Sequence, residues 1–191
     1  MTLAIPAPSP VFQRIARFTL DQFARDIPEA TRAHAALLLL DTLGICAAAA
    51  PMEAGRIARN IAVALYGAGT LDLSAPILFD GRRASLAGAG FAAASQIDNL
   101  DGHDGYNPTK GHIGVAVVPA LAALVQARPD LRGTDALAAL VISYEVAGRA
   151  AIALHATVSD YHTSGAWNGL GVVALAARLR GHSADQLRHG F

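Results

Sequence analysis

The stretch DNLDGHDGYNPTKGHIG, residues 98–114, gathers three aspartates, two of the chain's seven histidines and Lys110, its only lysine. The side chains there that could do chemistry are Asp101, His103, Asp104, Lys110 and His112. A second polar break, SDYHTSG at residues 159–165, adds Tyr161, His162 and Thr163. Imidazoles move protons near neutral pH, and a carboxylate bonded to one fixes its tautomer. Each break follows an apolar stretch and precedes one rich in small residues, so each falls where a helix begins. Helix N-termini offer unpaired N–H groups and positive potential, which suit a carboxylate ligand, and Lys110 would add a fixed charge. The pattern points to acid–base work on a small anion. A solvated surface loop is the bland alternative. A long loop mixing acid, base and lysine inside an apolar chain is, however, the kind that usually carries function.

Metal binding is the competing chemistry. Asp101, His103, Asp104 and His112 offer two imidazoles and a carboxylate, enough for zinc or iron. The two histidines are not at helical i, i+4 spacing, and Lys110 beside them opposes a cation. The expectation is therefore no metal and no cofactor. The remaining histidines read as structural: His34 and His155 on helix faces, His182 and His189 at the surface around a terminal cap.

These loops must be positioned by helices. Ser9 and Pro10 open a first helix. Pro28 and Glu29 open a second, apolar nearly all round beyond Ala35, as a helix surrounded by protein is. Residues 52–67 form an amphipathic third. Only TLDLSAPILFDGRRAS, residues 70–85, has strand character, with Asp80-Gly81 offering a tight turn. Ser85 caps a small-residue helix, in which Gly88 and Gly90 read as close-packing positions because no βαβ unit surrounds them. Further helices follow the first loop, with Pro119 in or near its first turns, then Thr134 as a cap, then the second loop. Glu145 and Arg149 stand four apart as an ordinary surface pair. Ser183 and Gln186 make a capping box for one more helix. The fold class is all-α: a helical, bundle-like domain over residues 1–191, with at most a short hairpin near 72–84.

Composition narrows the function classes. Hydrophobic residues make up 53% and charged residues 16%, too little polar surface to cover the chain, so it is expected to oligomerise or to belong to something larger. The longest apolar run is broken by Asp41 and falls short of the roughly 18–20 residues of a membrane span, so no membrane association is expected. Net charge is zero and no Lys/Arg cluster occurs, which argues against nucleic acid. Cys46 stands alone in apolar surroundings, as a buried structural thiol in a reducing compartment. No signal peptide opens the chain, so a cytoplasmic location is expected.

Five segments, in order, carry a resemblance: LLLDTLGICAAA, LDGHDG, GHIGVAVVPALAAL, ISYEVAGR and YHTSGAWNGLGVVALAARLRG. From about residue 30 onward the chain resembles the 2-methylcitrate dehydratase family, also called MmgE/PrpD, which includes cis-aconitate decarboxylase and iminodisuccinate epimerase. The resemblance implies catalytic roles for Asp101, which matches the first aspartate of the family's acidic segment, for His112 at the helix start, and for His162 in the second turn. His103, Asp104, Lys110, Tyr161 and Thr163 would then bind the substrate, a small di- or tricarboxylate, although Lys110 has no family counterpart. It further implies cofactor-independent lyase chemistry, with dehydration ahead of decarboxylation and epimerisation, and a homodimer. Family members are longer and add an α/β domain, so the chain reads as the N-terminal part of such a protein, expected to be inactive alone. A non-catalytic helical scaffold or dimerisation piece is the alternative. The chain departs from the family pattern at His103 (acidic in the family), Gly105 (threonine in the decarboxylase), Gly114 (serine) and Thr163 (proline).

Overall fold

The structure, a computed structural model, describes residues 7–159 and 163–191. Among them eight α-helices account for nearly all regular structure: α1 (Pro10–Asp21), α2 (Glu29–Ala49), α3 (Glu53–Leu65), α4 (Leu86–Leu100), α5 (Gly114–Gln126), α6 (Gly133–Thr157), α7 (Ser164–Leu179) and α8 (Ala184–Gly190). A two-stranded antiparallel hairpin, β1 (Ser74–Pro76) with β2 (Arg83–Ser85), pairs Ser74 with Ser85 and Pro76 with Arg83. The all-α expectation, with a short hairpin, holds.

Local signals set most helix starts. The hydroxyls of Ser9 and Ser85 accept from the N–H groups of Phe12 and Gly88. Ser183 and Gln186 bond reciprocally at the head of α8. Each satisfies backbone donors that have no partner within the helix. Thr134, expected as a cap, lies instead inside the first turn of α6. The cap is Arg132, whose carbonyl accepts from Asp135 and Ala136 and whose guanidinium reaches the Asp135 carboxylate.

The core lies where α5, α6 and α7 meet, with α2 and α4 packed alongside. Leu140, Ile142, Val117, Val118, Leu175 and Trp167 are essentially inaccessible there. Full burial of one large apolar side chain is worth about 1.5–3 kcal/mol. Pro119 is buried within the second turn of α5. Gly88 confirms close packing: a Cβ there would lie 2.4 Å from Tyr66 Cβ on the preceding segment. Gly90 faces open space and has no such role.

Two helices, Glu29–Ala49 and Gly133–Thr157, are long and apolar enough to cross a membrane by length and composition, further than the uninterrupted runs suggest. They differ in surroundings. In α6, 56% of the apolar window is buried inside the molecule; in α2 only 22% is. The expectation that α2 is enclosed fails within this chain. It buries one stripe, Ala35, Thr42, Cys46 and Ala49, and leaves Leu37 and Leu40 63% and 69% exposed.

Candidate active site

The first polar loop hangs between α4 and α5. Asp101 closes α4 in the left-handed region (φ 51°), which aspartate tolerates better than most residues, with its N–H still bonded to Ile97. Farther on, Tyr106 and Gly111 form an antiparallel bridge across a 3-10 turn, Asn107–Thr109, with Lys110 left-handed behind it. The bridge, with Tyr106 N–H donating to Gly111 O at 2.7 Å, cinches the loop so that His112 returns beside Asp104.

His112 is fixed from two sides. Its Nδ1 lies 2.7 Å from the Asp104 carbonyl oxygen, which can only accept, so Nδ1 carries the proton. That leaves Nε2 facing Asp101 Oδ1 at 3.4 Å. Asp101 is largely exposed and the His112 side chain about one-third exposed. Behind them His103 is buried at 6% exposure, its ring centroid 4.2 Å from that of His112. Neither ring nitrogen of His103 has a hydrogen-bond partner among the described residues. Burial, and then the neighbouring His112, push His103 below its ordinary pKa and favour the neutral ring.

Asp104 turns inward. Both carboxylate oxygens accept from Gly114 N–H at 3.1 Å, so this side chain already occupies the N-terminus of α5. Burial raises its pKa, while the Gly114 bond and the two imidazoles act the other way. Above it sit the Tyr144 and Thr42 hydroxyls. A Cβ on Gly114 would lie 2.5 Å from Asp104 Oδ1, 2.5 Å from the Tyr144 hydroxyl and 2.9 Å from Thr42 Oγ1. A glycine at position 114 is what this packing requires. Tyr144 makes no hydrogen bond of normal geometry, and burial beside Asp104 pushes its phenol well above the ordinary range.

The start of α7 abuts the same loop. Asn168 Nδ2 donates to the His112 carbonyl at 2.8 Å. A Cβ on Gly111 would sit 2.9 Å from the Trp167 ring and 3.4 Å from Ser164 Oγ. Thr163 is exposed and caps α7 through its backbone only. Tyr161 and His162 lie outside the described residues. Lys110 is exposed and in no ion pair with a described residue. A cavity of about 480 Å³ borders the site at Asp104 and Gly105, walled also by Tyr106, Tyr144, His34 and Arg149. That is room for a small organic acid.

The structure thus brings Asp101, His103, Asp104 and His112 together and sets them against α7. Tyr144, Thr42, Trp167 and Asn168 escape the sequence reading. All four lie inside segments that carry the resemblance: Thr42 in LLLDTLGICAAA, Tyr144 in ISYEVAGR, and Trp167 and Asn168 in YHTSGAWNGLGVVALAARLRG. The clustered polar groups can hold a proton at His112 Nε2, orient it with Asp101, and hold a ligand against unsatisfied buried atoms.

A search of curated proteins finds no match. The profile of the MmgE/PrpD N-terminal domain matches residues 13–191, nearly the whole chain, and the chain belongs to the MmgE/PrpD family.

Proposed function

We propose that this chain contributes the acid–base half of a lyase acting on a small di- or tricarboxylate, with dehydration as the reaction. The observation that carries the reading is His112, its Nδ1–H anchored on the Asp104 carbonyl and its Nε2 turned to Asp101. Such a ring has one free lone pair in a fixed direction, which a general base requires. In the proposed step the base removes a proton from the carbon next to a carboxylate. The released electron pair forms a carbon–carbon double bond, and the hydroxyl on the adjacent carbon leaves as water after receiving a proton. His112 and His162 share the base and acid roles, and Asp101 orients the ring. Lys110, His103, Asp104, Tyr161 and Thr163 are assigned to the substrate. The contact of Ser164 and Asn168 with residues 111 and 112 supports a shared site, because both lie directly after the second loop. The scheme needs no cofactor. Homodimerisation and a cytoplasmic location belong to the same proposal, as does the requirement for an α/β domain beyond the helical one.

The test is turnover on a panel of hydroxy- and unsaturated polycarboxylates. His112→Ala is expected to lose about 10²- to 10⁴-fold, the worth of a positioned acid or base. Near-unchanged turnover in this variant overturns the assignment. The competing reading, a non-catalytic dimerisation piece, draws on the uncovered Leu37 and Leu40 of α2. It predicts that no polycarboxylate raises the thermal midpoint, whereas any ligand of the native state must do so above its dissociation constant.

A further inference from the structure

We infer that Asp101, His103 and His112 form a binding site for a divalent first-row transition metal ion. One ligand atom from each of the three residues lies within 4.8 Å of the other two. The pair with an individual distance, His112 Nε2 and Asp101 Oδ1, stands 3.4 Å apart. Two ligands of a tetrahedral zinc ion, each about 2.0–2.2 Å from the metal, are separated by about 3.4 Å, so this edge of the coordination shell is already in place.

Two further observations point at a ligand. His103 is buried at 6% exposure, yet both of its ring nitrogens lack a hydrogen-bond partner among the described residues. Buried polar atoms in native structures are almost always satisfied, and an unpartnered one calls for an unseen partner. His112 is arranged as a metal-binding imidazole is: the Nδ1–H donates to a backbone carbonyl at 2.7 Å, and the Nε2 lone pair is left directed at a carboxylate oxygen. Two atoms that both present lone pairs at 3.4 Å are reconciled by a proton on Nε2 or by a cation, and a metal ion serves all three residues at once, including the His103 nitrogens that a proton on His112 leaves unserved.

The sequence spacing argues against this, because the histidines are nine apart and not on one helix face. Folding answers it: the Tyr106–Gly111 bridge returns the chain and brings the two rings within 4.2 Å, tilted at 47° to each other. Lys110, the other objection, is exposed and forms no ion pair with the cluster. Two imidazoles and one carboxylate suit zinc, cobalt or ferrous iron. The exposure of Asp101 leaves open coordination positions for water or a carboxylate.

The inference does not rest on lyase activity. It has a consequence for it, because the His112 Nε2 lone pair cannot serve a metal and a substrate proton at once, so a bound ion holds the proposed catalyst off. The test reads binding alone. Metal-stripped protein is titrated with cobalt, following the visible absorption of the bound ion, and with zinc by calorimetry. A single equivalent is expected to bind. His103→Ala is expected to weaken it by more than about 100-fold, beyond the 10- to 100-fold cost of losing only a ligand's hydrogen-bond partner. Asp101→Asn keeps an exposed residue that tolerates the left-handed conformation, and so reports even if the buried variant fails to fold; it is expected to weaken binding at least 10-fold. His182→Ala is expected to bind as the parent does. Absence of stoichiometric binding in the parent, or parent-like affinity in Asp101→Asn, overturns the site. A failed lyase assay leaves either result unaffected.

Discussion

Helix α4 carries two polar clusters, five residues apart, that have been finished differently. At its middle, Gln96 is fully buried and donates to Cys46 Sγ at 3.2 Å, while Arg59 donates to Gln96 and to the Ala50 carbonyl. The same guanidinium grips Asp80 of the hairpin at 3.0 Å, and Arg82 closes on Asp80 from outside. At the C-terminal end of α4, the cluster of Asp101, His103, Asp104 and His112 leaves both His103 ring nitrogens and the Asn168 side-chain oxygen without partners among the described residues. Both clusters are polar groups in an apolar chain, yet only one is saturated. A buried network whose members are all satisfied fixes architecture; one with spare donors and acceptors has been kept for something that comes and goes.

The sharpest way to break that contrast is to disable the saturated cluster. Arg59→Met leaves Asp80 to Arg82 alone and removes the donor to the Gln96 amide oxygen and the Ala50 carbonyl, and is expected to cost about 2–4 kcal/mol in denaturant unfolding. Any catalysis or metal binding per folded molecule should be unchanged. Gly114→Ser comes next and strikes the other cluster. Its new Cβ would press on Asp104, Tyr144 and Thr42, costing about 1–3 kcal/mol and displacing the carboxylate from the α5 terminus, so stability and site chemistry should fall together.

A third comparison uses pH. Arg82, chiefly, holds Asp80 down from its ordinary 3.8 to about 2. A carboxylate lowered in the folded state contributes its full stabilisation above its unfolded value, and the contribution drains away as pH falls from about 4 through about 2. The loss should be about 1–2 kcal/mol, discounted for the partly exposed Arg82, and Asp80→Asn should abolish that slope. The smallest effect is that of Asp101→Asn on stability, within about 0.5 kcal/mol because the residue is exposed. If that variant also preserved turnover and metal affinity, the unsaturated cluster would lose its claim to function.

Much of this was legible in the chain because it is local. The caps at Ser9, Ser85 and Ser183, the hairpin around Asp80-Gly81, and the crowding of titratable groups into residues 98–114 all follow from neighbours a few positions apart. The saturated cluster was not legible. Arg59 meets Asp80 and Gln96 across 21 and 37 residues, and nothing in the local pattern pairs them. Tyr144 and Thr42 were missed for the same reason, since their importance arises only where α6 and α2 converge over Gly114. The enclosure of α2 was misjudged because an apolar surface tells what a helix would favour against it, and not whether this chain supplies it.

One clamp bears on how the molecule is made. Arg178, near the end of α7, donates to the carbonyls of Thr19, Leu20 and Gln22, and Phe12 meets Phe191 edge-on. The N-terminal helix therefore finds its seat on α6, α7 and α8, with partners as far as 159 residues downstream. A ribosome delivers α1 well before the surfaces it packs on, so its apolar flank stays bare until α6, α7 and α8 have followed. A helix made early waits for seats made late.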